Sequence, residues 1–249
     1  MHGKLIVIDA LDGAGKSTVI RAISNHLEQQ GLRVFDLVNF MQTTHDLPEA
    51  TDPLLQEADV LLSAEPTHCW IGSAIRKHLV QKNVSFAADG YISAYAYALD
   101  RLVLFSRVII PWLEAKPNRW VIQDRGLITS LAYQPLQDSR VTQDWLMSLE
   151  GNKIELSRPP DLLLLLRLAP EEAMQRIAGR LDKKDGHIFE TMSFQEQLAA
   201  RYRDPSVLAP YQNAGTPIIE INAARAPDQV QESVLAELGR FFPNAPTLA

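Results

Sequence analysis

One stretch limits the folds open to this chain more than any other: Asp12-Gly13-Ala14-Gly15-Lys16-Ser17-Thr18. The apolar run Leu5-Ile6-Val7-Ile8 comes before it, and Val19, Ile20, Ile23 and Leu27 recur behind it at helical spacing. Strand, glycine turn and helix are the setting of a phosphate-binding loop. Gly13 and Gly15 let the backbone curl without Cβ clashes, so that successive N–H groups point at one anion. The helix behind adds the positive end of its dipole. Lys16 then reaches the outer phosphates of a nucleotide, Thr18 belongs to the cradle, and the Ser17 hydroxyl faces Mg²⁺. The loop pattern wants glycine five residues before Gly15, where this chain has Ala10.

The rest of the pattern is that of an α/β chain. Apolar strand-length runs occur at Val34–Val38, Val60–Leu62, Trp120–Ile122, Asp161–Leu168 and Ile218–Ile221, separated by helical stretches. Gly31 reads as the stop of the first helix. Tyr91, Tyr95, Leu99, Leu102, Ile109 and Trp112 read as one apolar stripe of a long helix over 91–112, which Pro111 ends or kinks. Tyr97 and Arg101 lie four residues apart on another face of that helix. The segment 40–59 is less regular and acidic, and reads as a solvated insertion. Asp124-Arg125 follows a buried strand, the position where parallel sheets hold ligands.

Composition excludes several classes. A formal net charge of −6 leaves no general basic footprint for nucleic acid. One cysteine, Cys69, rules out an internal disulfide and a cysteine-based zinc site, and points to the reducing cytoplasm. The N-terminus shows no signal-peptide pattern. The apolar runs are too short or too charged for a membrane helix. The expectation is one domain over 1–249, with a lid at about 181–190.

Five segments in order resemble the thymidylate kinase family. They are Leu11 to Thr18; Glu65-Pro66-Thr67 with Ile71-Gly72 and Ile75-Arg76; Ala98-Leu99-Asp100-Arg101; Asp124-Arg125 with Ser130-Leu131-Ala132-Tyr133-Gln134; and the leucine strand followed by Pro170-Glu171-Glu172-Ala173. The resemblance implies a three-layer P-loop fold with a five-stranded parallel sheet between helices. It implies ATP and dTMP going to ADP and dTDP with Mg²⁺, in a homodimer.

Carried over by position, Lys16 and the amides of Gly13, Ala14 and Gly15 hold the ATP phosphates, and Ser17 and Asp124 serve the metal. Asp12 lies near the sugar hydroxyl and the transferred phosphate, while Arg125 grips the acceptor phosphate. Tyr97 stacks on thymine, Arg101 bonds its carbonyl edge, Ser130 faces the base and Tyr133 lies under the sugar. Glu65 belongs to the acceptor site, and Phe189 and Glu190 close over it. From the residues alone, Tyr97 also reads as a core aromatic, Tyr133 as a cap on the sheet and Arg101 as a partner of Asp100 or another acid.

The chain departs from the family pattern at Ala10, at Ala64 before Glu-Pro, at Gly126 after Asp-Arg, and at His187, where a lid arginine is usual. Arg180, Lys183 or Lys184 then supplies the lid cation. Two other readings stand beside the first. Glu65-Pro66-Thr67-His68-Cys69-Trp70 resembles the Glu-Pro-x-x-x-Trp segment of deoxynucleoside kinases, in which the glutamate is a base. The four departures also fit a catalytically weak nucleotide-binding regulatory module.

The loop assignment has a direct test. Lys16→Ala is expected to lower turnover at least ~10²-fold, the scale of one lost transition-state donor. A kcat near that of the wild type would contradict it.

Overall fold

The computed structural model describes residues 3–80, 89–179, 189 and 191–242. Six strands form one parallel sheet in the order β2-β3-β4-β1-β5-β6, the four central ones apolar and buried on both faces. They are β1 (Lys4–Ala10), β2 (Val34–Asp36), β3 (Val60–Ala64), β4 (Trp120–Asp124), β5 (Leu162–Arg167) and β6 (Ile218–Asn222). The family resemblance implies five strands, whereas the residue pattern itself marks six. The short strand β2 pairs only with β3, at the sheet edge.

Helices cover both faces. In chain order they are α1 (Lys16–Gln29), α2 (Leu37–Thr44), α3 (Pro53–Glu57), α4 (Trp70–Ala74), α5 (Gly90–Leu104), α6 (Ile110–Ala115) and α7 (Leu127–Gln137). Next come α8 (Gln143–Ser148), α9 (Glu150–Ser157), α10 (Pro170–Ala178), α11 (Met192–Arg203), α12 (Pro205–Asn213) and α13 (Pro227–Phe241). The α1 and α13 helices pack together, and α5 packs on α4, α7 and α9. None of the described helices is long and apolar enough to cross a membrane.

Three expectations need correction. The second strand stops at Asp36, because the Asp36 carboxylate accepts from the Asn39 amide and starts α2 at Leu37. The segment 40–59 is not irregular throughout: it holds the end of α2 and all of α3, and buries Met41, Leu47 and Leu55. Its carboxylates Asp46, Glu49 and Glu57 remain at the surface.

The stripe on the long helix does not stay on one face. Tyr95 and Leu99 are 48% and 49% exposed, whereas Ile109 and Trp112 are fully buried. Between them lies a π turn, Phe105–Ile109. Its wider turn advances the register by about one residue, so a stripe counted at 3.6 per turn leaves the core face on one side of it. The turn stands just ahead of Pro111, which lacks the N–H that an α-helical bond to Arg107 requires. On the far side, the Trp112 indole N–H donates to the Leu55 carbonyl at 2.8 Å and ties α6 to α3.

Candidate active site

Parallel pairing sets the position of everything in the site. The strands β3, β4 and β1 are adjacent, and Asp124 is in register with both Ala64 and Ile8. The glycine loop, Arg125 and Glu65 therefore leave three neighbouring strands at one edge.

The loop has the expected backbone. Gly13 and Gly15 lie at φ +83° and +94°, in the left-handed region, and Gly15 begins α1. A Cβ on Gly13 would stand 2.6 Å from the Ala173 carbonyl of α10, so close packing also requires glycine there. Ala10 is not among the residues with positive φ, so its backbone suits alanine. Its amide donates to the Asp9 carboxylate at 2.7 Å. The Lys16 ammonium is buried and donates to the Ala10 and Leu11 carbonyls at 3.3 Å each. Burial, then the Arg125 charge, lowers its pKa. Ser17 and Thr18 are exposed at the first turn of α1.

Arg125 adopts φ +68°, an unusual conformation for arginine, and is held there from several sides. Its amide donates to the Ile8 carbonyl at 2.9 Å. Its guanidinium bonds Asp12, lies 3.5 Å from Asp9 and stacks 5.5 Å from the centre of the Tyr133 ring. Burial works against its charge, but Tyr133, Asp12 and Asp9 outweigh burial and hold its pKa well above the ordinary value. The Tyr133 hydroxyl donates to Asp12 at 3.3 Å, and its ring meets Phe189 edge-on at 5.3 Å. Asp12, Arg125, Tyr133 and Phe189 are thus brought together.

Asp124 projects from the same edge. Burial raises its pKa against the pull of Lys16, and its Oδ1 has no hydrogen-bond partner. An orphaned carboxylate oxygen at this edge suits a hard cation that keeps its waters and phosphate oxygens as further ligands.

A second cluster is built around Arg101, which is 1% exposed. It bonds the Glu65 carboxylate at 2.6 Å, Ser130 Oγ at 3.2 Å and the Asn152 amide oxygen, and its Nε lies 3.2 Å from Glu155. The acidic partners are Glu65 and Glu155, not its chain neighbour Asp100. Asp100 instead accepts the amide and hydroxyl of Thr67, both at 2.7 Å, and so fixes the turn after Glu65. Arg76 donates into the same turn, at 3.1 Å to the carbonyls of Pro66 and Thr67. Tyr97 is half-buried, one helical turn ahead of Arg101. Arg180, Glu190, His187, Lys183 and Lys184 lie outside the described residues.

Several partners escaped the sequence reading. Asp9 receives the Tyr202 hydroxyl at 2.8 Å and that of Thr129, and so underlies Arg125. Its signal was visible: a carboxylate one residue from the end of a strand that is otherwise apolar. Glu155, Asn152 and Tyr211 come from helices that no motif marks.

A phosphate loop at the edge of a parallel sheet, facing a half-buried arginine and an orphaned carboxylate oxygen, defines a phosphoryl-transfer protein. A family model described as "Thymidylate kinase" matches residues 49–234. A thymidylate kinase of Prochlorococcus marinus is 26% identical over 220 residues, covering 87% of this chain and 92% of the relative. A probable thymidylate kinase of Pyrococcus abyssi is 31% identical over 72% of each chain. That of Caldicellulosiruptor saccharolyticus is 30% identical over 76% of this chain and 78% of its own. The chain belongs to the thymidylate kinase family and is, by class, a nucleoside monophosphate kinase.

The buried acids have a pH signature. Burial, with Glu155 nearby, pushes the Glu65 carboxyl from 4.5 up to about 8 despite Arg101. An acid raised in the folded state contributes stability that is whole below its unfolded pKa and is lost as pH rises through the folded one. The melting temperature is therefore expected to fall between about pH 5 and about pH 9, and to fall less in Glu65→Gln. Equal pH slopes in the two proteins would remove this assignment.

Proposed function

We infer that the chain transfers the γ-phosphoryl group of ATP to dTMP, giving ADP and dTDP. The observation that carries the reading is Arg125, held in a left-handed conformation opposite the glycine loop. Family membership supplies the acceptor class.

The chemistry needs positioning and charge neutralisation more than covalent help. Loop amides at Gly13, Ala14 and Gly15, with Lys16, bind the β- and γ-phosphates. Arg125 exchanges Asp12 for the acceptor phosphate, which its planar fork suits. Tyr97 stacks on the base, while Arg101 and Ser130 line its edge. Tyr133, under the sugar, disfavours a 2′-hydroxyl. Ser17 and Asp124 would hold Mg²⁺, which when bound neutralises charge on the phosphates. Phe189 and Glu190 belong to a lid at 181–190, with Arg180 as its cation. The segment 40–59 is an added excursion of a single kinase domain. Cys69, the sole cysteine of the sequence, supports the reducing cytoplasm as its compartment.

The deoxynucleoside reading needs Glu65 as a free base, and Glu65 is 4% exposed and paired with Arg101. That pairing and the family both favour the monophosphate acceptor. ADP release from Mg·ATP, measured across nucleoside monophosphates and free nucleosides, tests the reading. Turnover with dTMP is expected, and Arg125→Ala is expected to lower kcat/KM for dTMP at least ~10²-fold with the KM for ATP little changed. Turnover with nucleosides alone would move the protein to the rival family. Silence from folded protein that binds ATP would favour the regulatory module.

We also propose a homodimer through α5. Ile92, Tyr95 and Leu99 are 38%, 48% and 49% exposed, and their spacing puts them on one helix face. Sedimentation is expected to give twice the 27.8 kDa chain mass, with Leu99→Glu shifting it toward the monomer. A wild-type monomer at working concentration would overturn this.

A further inference from the structure

Glu155 lies in α9, away from every motif, and is completely buried. A buried carboxylate is costly unless donors surround it. Here the donors come from three other helices. The Tyr211 hydroxyl of α12 donates to Oε1 at 2.6 Å. The Leu127 amide of α7 donates to Oε2 at 2.8 Å. Arg101 Nε of α5 lies 3.2 Å from the same oxygen.

The Leu127 bond has a particular consequence. The α7 helix starts directly after Arg125-Gly126, and Gly126 has no side chain with which to cap it. Glu155 caps it from a distant part of the chain, placing a carboxylate at the positive end of the helix. The α7 helix carries Thr129, Ser130 and Tyr133. One carboxylate therefore fixes the turn that presents Arg125, the helix that presents Ser130 and Tyr133, and the guanidinium of Arg101.

Gly126 fits the same picture. Its φ is −171°, which any residue adopts, so its backbone does not demand glycine. A Cβ there would lie 3.0 and 3.1 Å from the two carboxylate oxygens of Glu155. The space that a side chain after Arg125 would enter is filled by Glu155.

We propose that Glu155 is a positioning residue that couples the phosphate end of the acceptor site to its base end, and that Gly126 is its steric counterpart. The proposal rests on the acceptor reading given above. Its groups touch no nucleotide themselves; they act through Arg125, Arg101 and α7.

The test is a double-mutant cycle on the full chain. Glu155→Gln, Glu155→Ala, Gly126→Ala and the Gly126→Ala/Glu155→Ala double variant are compared by calorimetry for dTMP affinity without ATP, by KM for each substrate and by thermal melting. Each single variant is expected to weaken dTMP at least ~10-fold while the KM for ATP changes less than ~2-fold, with Glu155→Gln milder than Glu155→Ala because it keeps one acceptor. The double variant is expected to lose less dTMP affinity than the product of the singles, since removing the Glu155 carboxylate frees the room that the methyl group added by Gly126→Ala needs.

Loss of dTMP and ATP binding in step with loss of melting temperature would reduce Glu155 to a structural residue and overturn the proposal. Multiplicative effects in the double variant would break the pairing with Gly126. Should Glu155→Ala fail to fold, Glu155→Gln and Gly126→Ala still carry the split between substrates. Arg125→Ala serves as the control. If it impairs dTMP binding and the Glu155 variants do not, only this inference fails; if it too leaves dTMP unaffected, the acceptor reading itself fails.

Discussion

Parallel pairing of β3, β4 and β1 is the constraint on which the site depends. Each strand is buried on both faces, β3 and β4 end level and β1 runs two residues further, so the segments leaving the three strands are delivered to one edge. The glycine loop needs nothing more than its position after β1. Arg125 needs more, because its left-handed backbone is intrinsically unfavourable. The Ile8 carbonyl on the adjacent strand holds its amide, and the carboxylates of Asp9 and Asp12 hold its guanidinium. The rigidity of the sheet is thereby transferred to the side chain that the proposed function sets against the acceptor phosphate.

The strands, the loop and the edge residues were legible in the sequence because each has a local cause. Hydrophobic runs mark buried strands, glycines mark the left-handed turn, and a carboxylate–arginine pair after a strand marks the ligand edge. The end of β2 was misplaced by two residues because Asp36 reads as strand surface until its side chain is seen to accept from Asn39. The stripe of the long helix failed for a different reason. Periodicity assumes 3.6 residues per turn throughout, and one π turn ahead of Pro111 breaks that assumption. Glu155 was illegible in principle: its partners Arg101, Leu127 and Tyr211 lie far away along the chain, and no spacing rule connects them.

The departures from the family pattern look different once their surroundings are known. Ala10 is not in the left-handed region, so the missing glycine leaves no backbone strain. Ala64 is buried at the end of β3 in register with Asp124, a position that alanine fills without displacing the carboxylate. Gly126 is matched by Glu155 across the space where a side chain would stand. Three of the four departures are therefore accommodated by the chain around them, and such accommodation argues against reading them as decay of the site.

Charge balance acts at the same edge. Asp9, Asp12 and Asp124 gather around Lys16 and Arg125, with Arg76 close enough to act on Asp124, so among the described residues carboxylates and cations formally balance here. Burial opposes the charge on Asp124 and raises its pKa, against the pull of Lys16, Arg125 and Arg76. This pairing of acids and cations has a consequence. Arg125 starts from a pairing with Asp12, so on the acceptor reading proposed above only an anionic group that accepts at least as well displaces that carboxylate. A neutral hydroxyl does not meet that condition and a phosphate dianion does. On that reading the acids around Arg125 filter acceptor chemistry as well as support its geometry.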